Sequence, residues 1–361
     1  MKLKYLSLLN YRLAQLQELA IEGAVLSITG PNGTGKTNIL DAVHYLCLTR
    51  SYLLQQDAQL LRFGEDFFNL QAEIRVNDQS HKLFCAWQQG QKRFRCDGQT
   101  YERLADHIGR FPVVMIAPTD LDLIYEGSEI RRRFADMLLS QTDADYLRAL
   151  MRHNKLLQQK QTVLKQFKLD GRVDQTLLEV LNDSLIPLNS QLFSQRAAWI
   201  DQFNPIFENL YRTISGARET VGIHYESAFL KQAVNQAFQE NHKLELEAGR
   251  PLCGIQRDDL YFTINGHPVK RFGSQGQQKS FLISLKLAQS IYLSEITGKK
   301  PFLLLDDIFE KLDSQRVSSL LRLVQEDRFG QILLTDTDRK RVEAIFQKSD
   351  DVQYLELSHP E

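Results

Sequence analysis

The spacing of hydrophobic and polar residues changes twice along this chain, and the two changes divide it into three parts. Residues 1–9 alternate, with Leu3, Tyr5 and Ser7 set against Lys4, Leu6 and Leu8, which predicts a half-buried strand. Asn10-Tyr11-Arg12 predicts a turn, and a second strand, the β-branched run at 24–29, leads into a glycine-rich segment. Ile39, Leu40, Val43 and Leu46 then recur at helical spacing. Residues 67–76 alternate again, and 81–87 and 92–96 add two short strands before a turn at Asp97-Gly98, an antiparallel meander. The apolar run at 113–116 stops at Ala117-Pro118 and predicts a core strand.

From Ser128 to Ser215 there is one glycine, Gly171, and leucine recurs at helical spacing throughout. Helices are predicted over 128–140, over 143–168, and from the turn at Leu169-Asp170-Gly171-Arg172 to about 200. A 25-residue helix is roughly 38 Å long, so this region is an arm. Residues 216–250 show no clear pattern beyond a helix near 228–240. From 251 the α/β texture returns, with strands at 260–264, 302–305 and 331–334 and a helix over 281–296. The expected organisation is an α/β head in two parts, 1–127 and 251–361, with a helical insertion at 128–250.

The head is built around Gly30-Pro31-Asn32-Gly33-Thr34-Gly35-Lys36-Thr37, a complete G-x-x-x-x-G-K-[ST] phosphate loop. A strand, a glycine-rich turn and a helix N-terminus aim backbone N–H groups at one point, where the helix dipole also favours an anion. Lys36 is expected to reach the β- and γ-phosphates of ATP, and the Thr37 hydroxyl to ligate Mg²⁺. Leu303-Leu304-Leu305-Asp306-Asp307 is an apolar strand ending in two acids. The first is expected to hold Mg²⁺ and the second to position the attacking water, which makes Lys36 and Asp307 the catalytic pair. Ser274-Gln275-Gly276-Gln277 precedes a helix and offers a second anion site, remote in sequence from the first. Two copies can then pair head to tail, each helix N-terminus sealing the other's ATP.

Net charge is −1, so a nucleic-acid surface must be a local patch. No run approaches the roughly 18 apolar residues of a membrane span. The N-terminus is too short and too alternating for a signal peptide. Cys47, Cys85, Cys96 and Cys253 form no C-x-x-C pair. Together these predict a cytoplasmic chain with buried thiols and no membrane partner.

With these motifs in hand, the chain resembles the ABC-type ATPases: the phosphate loop, Ser274-Gln275-Gly276-Gln277, Leu304-Leu305-Asp306-Asp307 and Leu312-Asp313 look like Walker A, signature, Walker B and D-loop. An N-terminal strand ending in Asn10-Tyr11-Arg12 and the inserted helices place it in the SMC/Rad50 branch. End to end it is similar to the bacterial RecF family, through Ala117-Pro118-Thr119-Asp120-Leu121, Arg131-Arg132-Arg133-Phe134-Ala135-Asp136 and Gln256-Arg257-Asp258-Asp259-Leu260. The resemblance implies an SMC-like ATPase head with an antiparallel meander and an inserted helical domain. It also implies a replication and recombinational-repair protein, part of the SOS response, that dimerises on ATP, binds DNA and hydrolyses ATP slowly. Its implied partners are RecO and RecR, and its implied role is to direct RecA onto gapped, SSB-coated DNA at ssDNA–dsDNA junctions.

Three departures from the general ABC pattern point to slow turnover. Gln275 replaces the signature's first glycine, Asp307 is one methylene shorter than the usual glutamate, and Thr335-Asp336 stands where many such ATPases have a histidine. No glutamine is assigned to the Q-loop. The expected DNA contacts are Arg131 and Arg132 at the start of the first arm helix and Arg148, Arg152 and Lys155 on one face of the second. Lys160, Lys165 and Lys168 extend the basic character of that helix, and Arg257 is either a structural salt-bridge partner or an arginine that senses nucleotide or closes the dimer. The alternatives are the ATPase subunit of an ABC transporter, which would carry its signature much nearer the phosphate loop, and a small-molecule P-loop kinase, which would stay monomeric with ATP.

Overall fold

The computed structural model describes residues 1–171, 174–308, 329–346 and 351–358. In chain order its elements are β1 (Lys2–Tyr11), β2 (Ala14–Ala20), β3 (Val25–Thr29), α1 (Lys36–Leu48), β4 (Phe67–Val76), β5 (Gln79–Gln88), β6 (Gln91–Cys96), β7 (Gln99–Thr100) and β8 (Val113–Ile116). There follow α2 (Asp122–Tyr125), α3 (Ser128–Thr142), α4 (Ala144–Asp170), α5 (Gln175–Ser215), β9 (Val221–Glu226), α6 (Val234–Ala248), β10 (Asp259–Ile264), β11 (His267–Pro268), α7 (Val269–Phe272), α8 (Gln275–Thr297), β12 (Phe302–Asp306), β13 (Ile332–Asp336), a short helix at Arg339–Ile345, and β14 (Val352–Glu356). None of the described helices is long and apolar enough to cross a membrane.

Contacts group these elements into two units. The first comprises Met1–Leu121, Leu210–Arg218 and Gln275–Glu361. Its five-stranded sheet has the order β14-β3-β13-β12-β8, every neighbour parallel. β3, β8, β12 and β13 are buried at every position, as strands covered on both faces must be, and their mainly apolar sequences follow from that. The second sheet is antiparallel, in the order β2-β1-β4-β5-β6-β7. The alternation expected for residues 1–9 is broken by a bulge between Leu3 and Tyr5, which brings Leu3, Leu6 and Leu8 together in the core. The turn at Asp97-Gly98 takes positive φ at both residues (53° and 80°), the geometry a two-residue hairpin needs.

The second unit comprises Asp122–Asn209 and Glu219–Ser274. Its boundary lies at Ser274 rather than near 251 because β10 pairs residue for residue with β9, so 259–264 belongs with the arm. β9 was not expected from the sequence. α5 is 41 residues long and passes Pro187 and Pro205, running well past the expected end near 200. Beside Pro205, the Asn204 side chain accepts from the Ile223 N–H at 3.0 Å and donates to the Ile223 carbonyl at 2.8 Å, tying the helix to β9.

One side chain fastens the two sheets of the first unit. The buried Gln331 amide oxygen accepts from the Leu3 N–H at 2.5 Å, and its nitrogen donates to the carbonyls of Leu3 (3.3 Å) and Gly23 (2.8 Å). Gln331→Leu keeps the volume but strands these backbone groups. It should destabilise folding by roughly 2–4 kcal/mol. Urea denaturation with an unchanged midpoint would show that the amide does not hold the sheets.

Candidate nucleotide site

The phosphate loop follows from local backbone chemistry. Gly30, Gly33 and Gly35 take φ of 148°, 85° and 94°, a region that side chains disfavour. At Gly30 a Cβ would stand 2.3 Å from the Leu357 carbonyl oxygen, so that position also lacks room for one. Gly35 caps α1 without any side-chain hydrogen bond, which leaves the first-turn N–H groups to serve an anion. Lys36, 4% exposed, curls back over the loop and donates to the carbonyls of Gly30 (2.8 Å) and Pro31 (2.9 Å).

Across the sheet, the register β3–β13–β12 sets Asp306 beside Thr335 and brings Thr37 to the same carboxylate. Thr37 Oγ1 and Thr335 Oγ1 each donate to Asp306 Oδ1 at 2.8 Å, and the Asp307 N–H donates to Thr335 Oγ1 at 3.1 Å. Burial pushes the Asp306 carboxyl above the usual range, while the two hydroxyls, Lys36 and Arg12 pull it back. Thr37 and Asp306 thus present a hydroxyl and a carboxylate, hard oxygen donors of the kind Mg²⁺ takes. Asp307, half-buried, sits at φ 47°, a conformation that non-glycine residues hold only when their surroundings enforce it.

The structure brings Thr37 of the phosphate loop onto Asp306, with Asp307 next in the chain. It adds two residues that sequence reasoning did not place in the site. Thr335 is the second hydroxyl on Asp306; its signal was a threonine at the end of the last core strand, taken there only as a missing histidine. Arg12 lends positive charge to Asp306 and has a buried, unpartnered Nη1; its signal was the Asn10-Tyr11-Arg12 segment. Ser274 is exposed and immediately precedes α8; Gln275 is exposed, and Gly276 and Gln277 are half-buried. Asp313 lies outside the described residues.

Arg131 and Arg132 do not present themselves as DNA contacts. The Arg131 guanidinium forks onto Asp259 at 2.8 and 2.9 Å and also donates to the carbonyls of Leu123 and Glu126. Arg132 donates to Ser128 Oγ and to the Asp258 carbonyl. Asp258, nearly fully buried, bonds to Arg196 at 3.1 Å and to Tyr225, and Arg196 bonds to Asp136 at 2.7 Å. Both arginine-rich and aspartate-rich motifs thus serve one internal network, whose centre, Arg196, the sequence did not single out. Arg257 stays outside it, exposed. Lys160 is also internal, paired with Glu245 at 2.6 Å. Arg148, Arg152 and Lys155 are exposed on the face of α4 opposite the buried Tyr146, Ala149, His153 and Leu164, and Arg148 pairs with Asp145 one turn away.

A phosphate loop on a parallel sheet, a hydroxyl–carboxylate pair beside it and an added antiparallel sheet define an ATP-binding head of the ABC and SMC class. Comparison with known proteins agrees. The family model described as RecF/RecN/SMC N terminal domain matches residues 2–355. The DNA replication and repair protein RecF of Flavobacterium johnsoniae is 40% identical over 350 residues, 97% of this chain and 98% of that protein. RecF of Parabacteroides distasonis is 40% identical over 346 residues, 96% and 94% of the two chains. The solved structure of the recombination mediator protein RecF with ATP in the RecFOR pathway matches with a TM-score of 0.87 at 26% identity, covering 98% of this chain and 95% of that one. An SMC head bound to the C-winged helix domain of ScpA, 11% identical with a TM-score of 0.54, shares the fold. The chain belongs to the bacterial RecF family.

Lys36→Arg keeps the charge but changes its shape and donor geometry. ATP should still bind, within about tenfold of wild type, while hydrolysis falls roughly 10²-fold or more. Equal steady-state rates for variant and wild type would remove Lys36 from the γ-phosphate.

Proposed function

We propose that this chain is an ATP-driven dimerisation switch of DNA replication and recombinational repair, with weak DNA-dependent ATPase activity. The Thr37–Asp306–Thr335 cluster beside the phosphate loop supports this best. Thr37 and Asp306 would hold Mg²⁺, which supplies charge neutralisation at the β- and γ-phosphates. Lys36 leaves its loop carbonyls for phosphate oxygens, and Asp307 orients the attacking water. The exposed Ser274 hydroxyl and the α8 N-terminus meet the γ-phosphate of a second copy, so that dimerisation requires ATP. The relatives' names carry DNA repair and the RecFOR pathway to this reading, with gapped DNA, RecO and RecR as partners, and they weigh against an ABC-transporter subunit.

Two measurements test this. Ser274→Arg should leave the monomer's affinity for ATP nearly intact and abolish the ATP-dependent dimer seen by sedimentation velocity. A variant that still dimerises with ATP would end the model of a signature acting on the second copy. Separately, DNA binding should tighten with ATP and weaken with salt. Each phosphate neutralised adds roughly 0.9 to the slope of log affinity against log salt on duplex. Replacing Arg148, Arg152 and Lys155 together by alanine should reduce that slope by about 1–3. An unchanged slope would assign DNA to the head and leave the arm as a solvated helix.

A further inference from the structure

The nucleotide reading leaves a buried charge unused. Lys286 lies in the middle of α8, 1% exposed, and its Nζ donates to the Tyr52 hydroxyl at 2.9 Å and stands 3.5 Å from Asp120 Oδ1. Tyr52 donates to the same Asp120 oxygen, and the Ala117 N–H donates to the other at 2.8 Å. On its far side Tyr52 is bound to α1. Its backbone N–H donates to the fully buried Asp41 at 2.8 Å, and its ring meets His44 edge-on with centroids 5.0 Å apart. Asp41 also accepts from Tyr11 OH (2.8 Å) and from Ser51 Oγ at both carboxylate oxygens. A chain of contacts therefore runs Asp41–Tyr52–Asp120–Lys286, carried through the Tyr52 side chain, from the phosphate-loop helix to the signature helix, inside one unit.

The placement is telling. Asp41 lies five residues, about 8 Å, along α1 from Lys36, and Lys286 lies roughly 16 Å along α8 from its first residue. Three other polar atoms of α8, Ser284 Oγ, Gln289 Oε1 and Ser290 Oγ, are buried without a hydrogen-bond partner. An apolar surface tolerates small sliding and rotation, whereas a buried ammonium permits only the position in which its acceptors are met. A lysine in the core of an otherwise packed helix is expensive to bury, and a methionine would fill its volume without that cost.

We propose that Lys286 is a positioning residue for ATP-driven dimerisation: it locks the register and rotation of α8 against α1, so that the signature at the head of α8 is presented only in the orientation the phosphate-loop helix dictates. This rests on the dimerising reading above. Lys286 touches no phosphate and takes no part in nucleotide binding by the monomer.

The test uses the full chain with ATP and compares Lys286→Met, Lys286→Arg and the double variant Lys286→Met with Asp120→Asn. Lys286→Met should weaken ATP-dependent dimerisation in sedimentation velocity by about tenfold or more, while the monomer's affinity for a fluorescent ATP analogue stays within about twofold. Lys286→Arg should recover part of the loss. The double variant, which strands no buried charge and so keeps its fold, should show the same defect. Three results count against the inference: unchanged dimerisation in Lys286→Met, full dimerisation in the double variant, or parallel loss of thermal midpoint, nucleotide affinity and dimerisation in both. A wild-type chain that stays monomeric with ATP would instead overturn the dimerising reading, and this inference with it.

Discussion

One carboxylate oxygen, Asp306 Oδ1, accepts from two threonines, Thr335 on the neighbouring strand β13 and Thr37 in the first turn of α1, and the nucleotide site depends on that convergence. Thr37 is 269 residues away in sequence and Thr335 is 29. Only the parallel pairing of β12 with β13, and of β13 with β3, makes them neighbours. A slip of one residue in either pairing would turn Asp306 or Thr335 to the opposite face. The runs that fix the register are mostly apolar, so packing supplies the force and the polar ends supply the precision. Because Asp306 is buried, its charge needs partners at once. Two hydroxyls and two nearby cations provide them, and the same oxygens are the ones a hard cation would use.

The second unit treats charge differently. Arg131, Arg132, Arg196 and Lys160 are spent on Asp259, the Asp258 carbonyl, Asp136 and Glu245 within the unit. Such pairs are weak evidence for stability, since desolvation offsets most of the attraction, but each forbids arrangements that would leave a buried charge unmet. They fix how α3, α4, α5 and β10 lie against one another. They also explain how a chain of net charge −1 can carry a basic arm. With part of the arm's basic content turned inward, Arg148, Arg152 and Lys155 form a short exposed row on one face of α4, and Lys165 and Lys168 are exposed further along it. A row of this size favours sequence-independent phosphate contact over base readout.

The sequence made the head largely legible because its signals are local. The phosphate loop, the apolar strands at 113–116, 302–305 and 331–334 and the glycine turns each carry their own chemistry in adjacent residues. What it concealed depended on distant partners. β14 lies in a charged tail, with no position fully buried, and is a strand because β3 offers it an edge. β9 carries Gly222 and alternates only weakly; β10 recruits it. α5 was expected to stop before Pro205, yet Phe203, Phe207, Leu210 and Ile214 keep helical spacing and are buried, which outweighs the lost backbone hydrogen bond. Arg131 and Arg132 were expected to contact DNA because only the fold reveals that Asp259 and the Asp258 carbonyl wait for them.

The groups around the attack position favour a long-lived ATP state. Asp307 has a shorter reach than a glutamate, and its strained φ is held through the Thr335 hydroxyl rather than by free rotation. At 336, where a histidine could steady the γ-phosphate, a buried aspartate accepts from the Asp338 N–H at 2.8 Å and faces Arg341 at 3.6 Å. A carboxylate there adds negative charge beside a reaction that already develops it, and Arg341 offsets this only from a distance. On the proposed reading this arrangement would slow hydrolysis for electrostatic reasons, while Lys36 and the first turn of α1 would still bind phosphate. Strong binding with a poor attack geometry is what a switch requires: the nucleotide must persist long enough for a second copy and DNA to engage before it is lost.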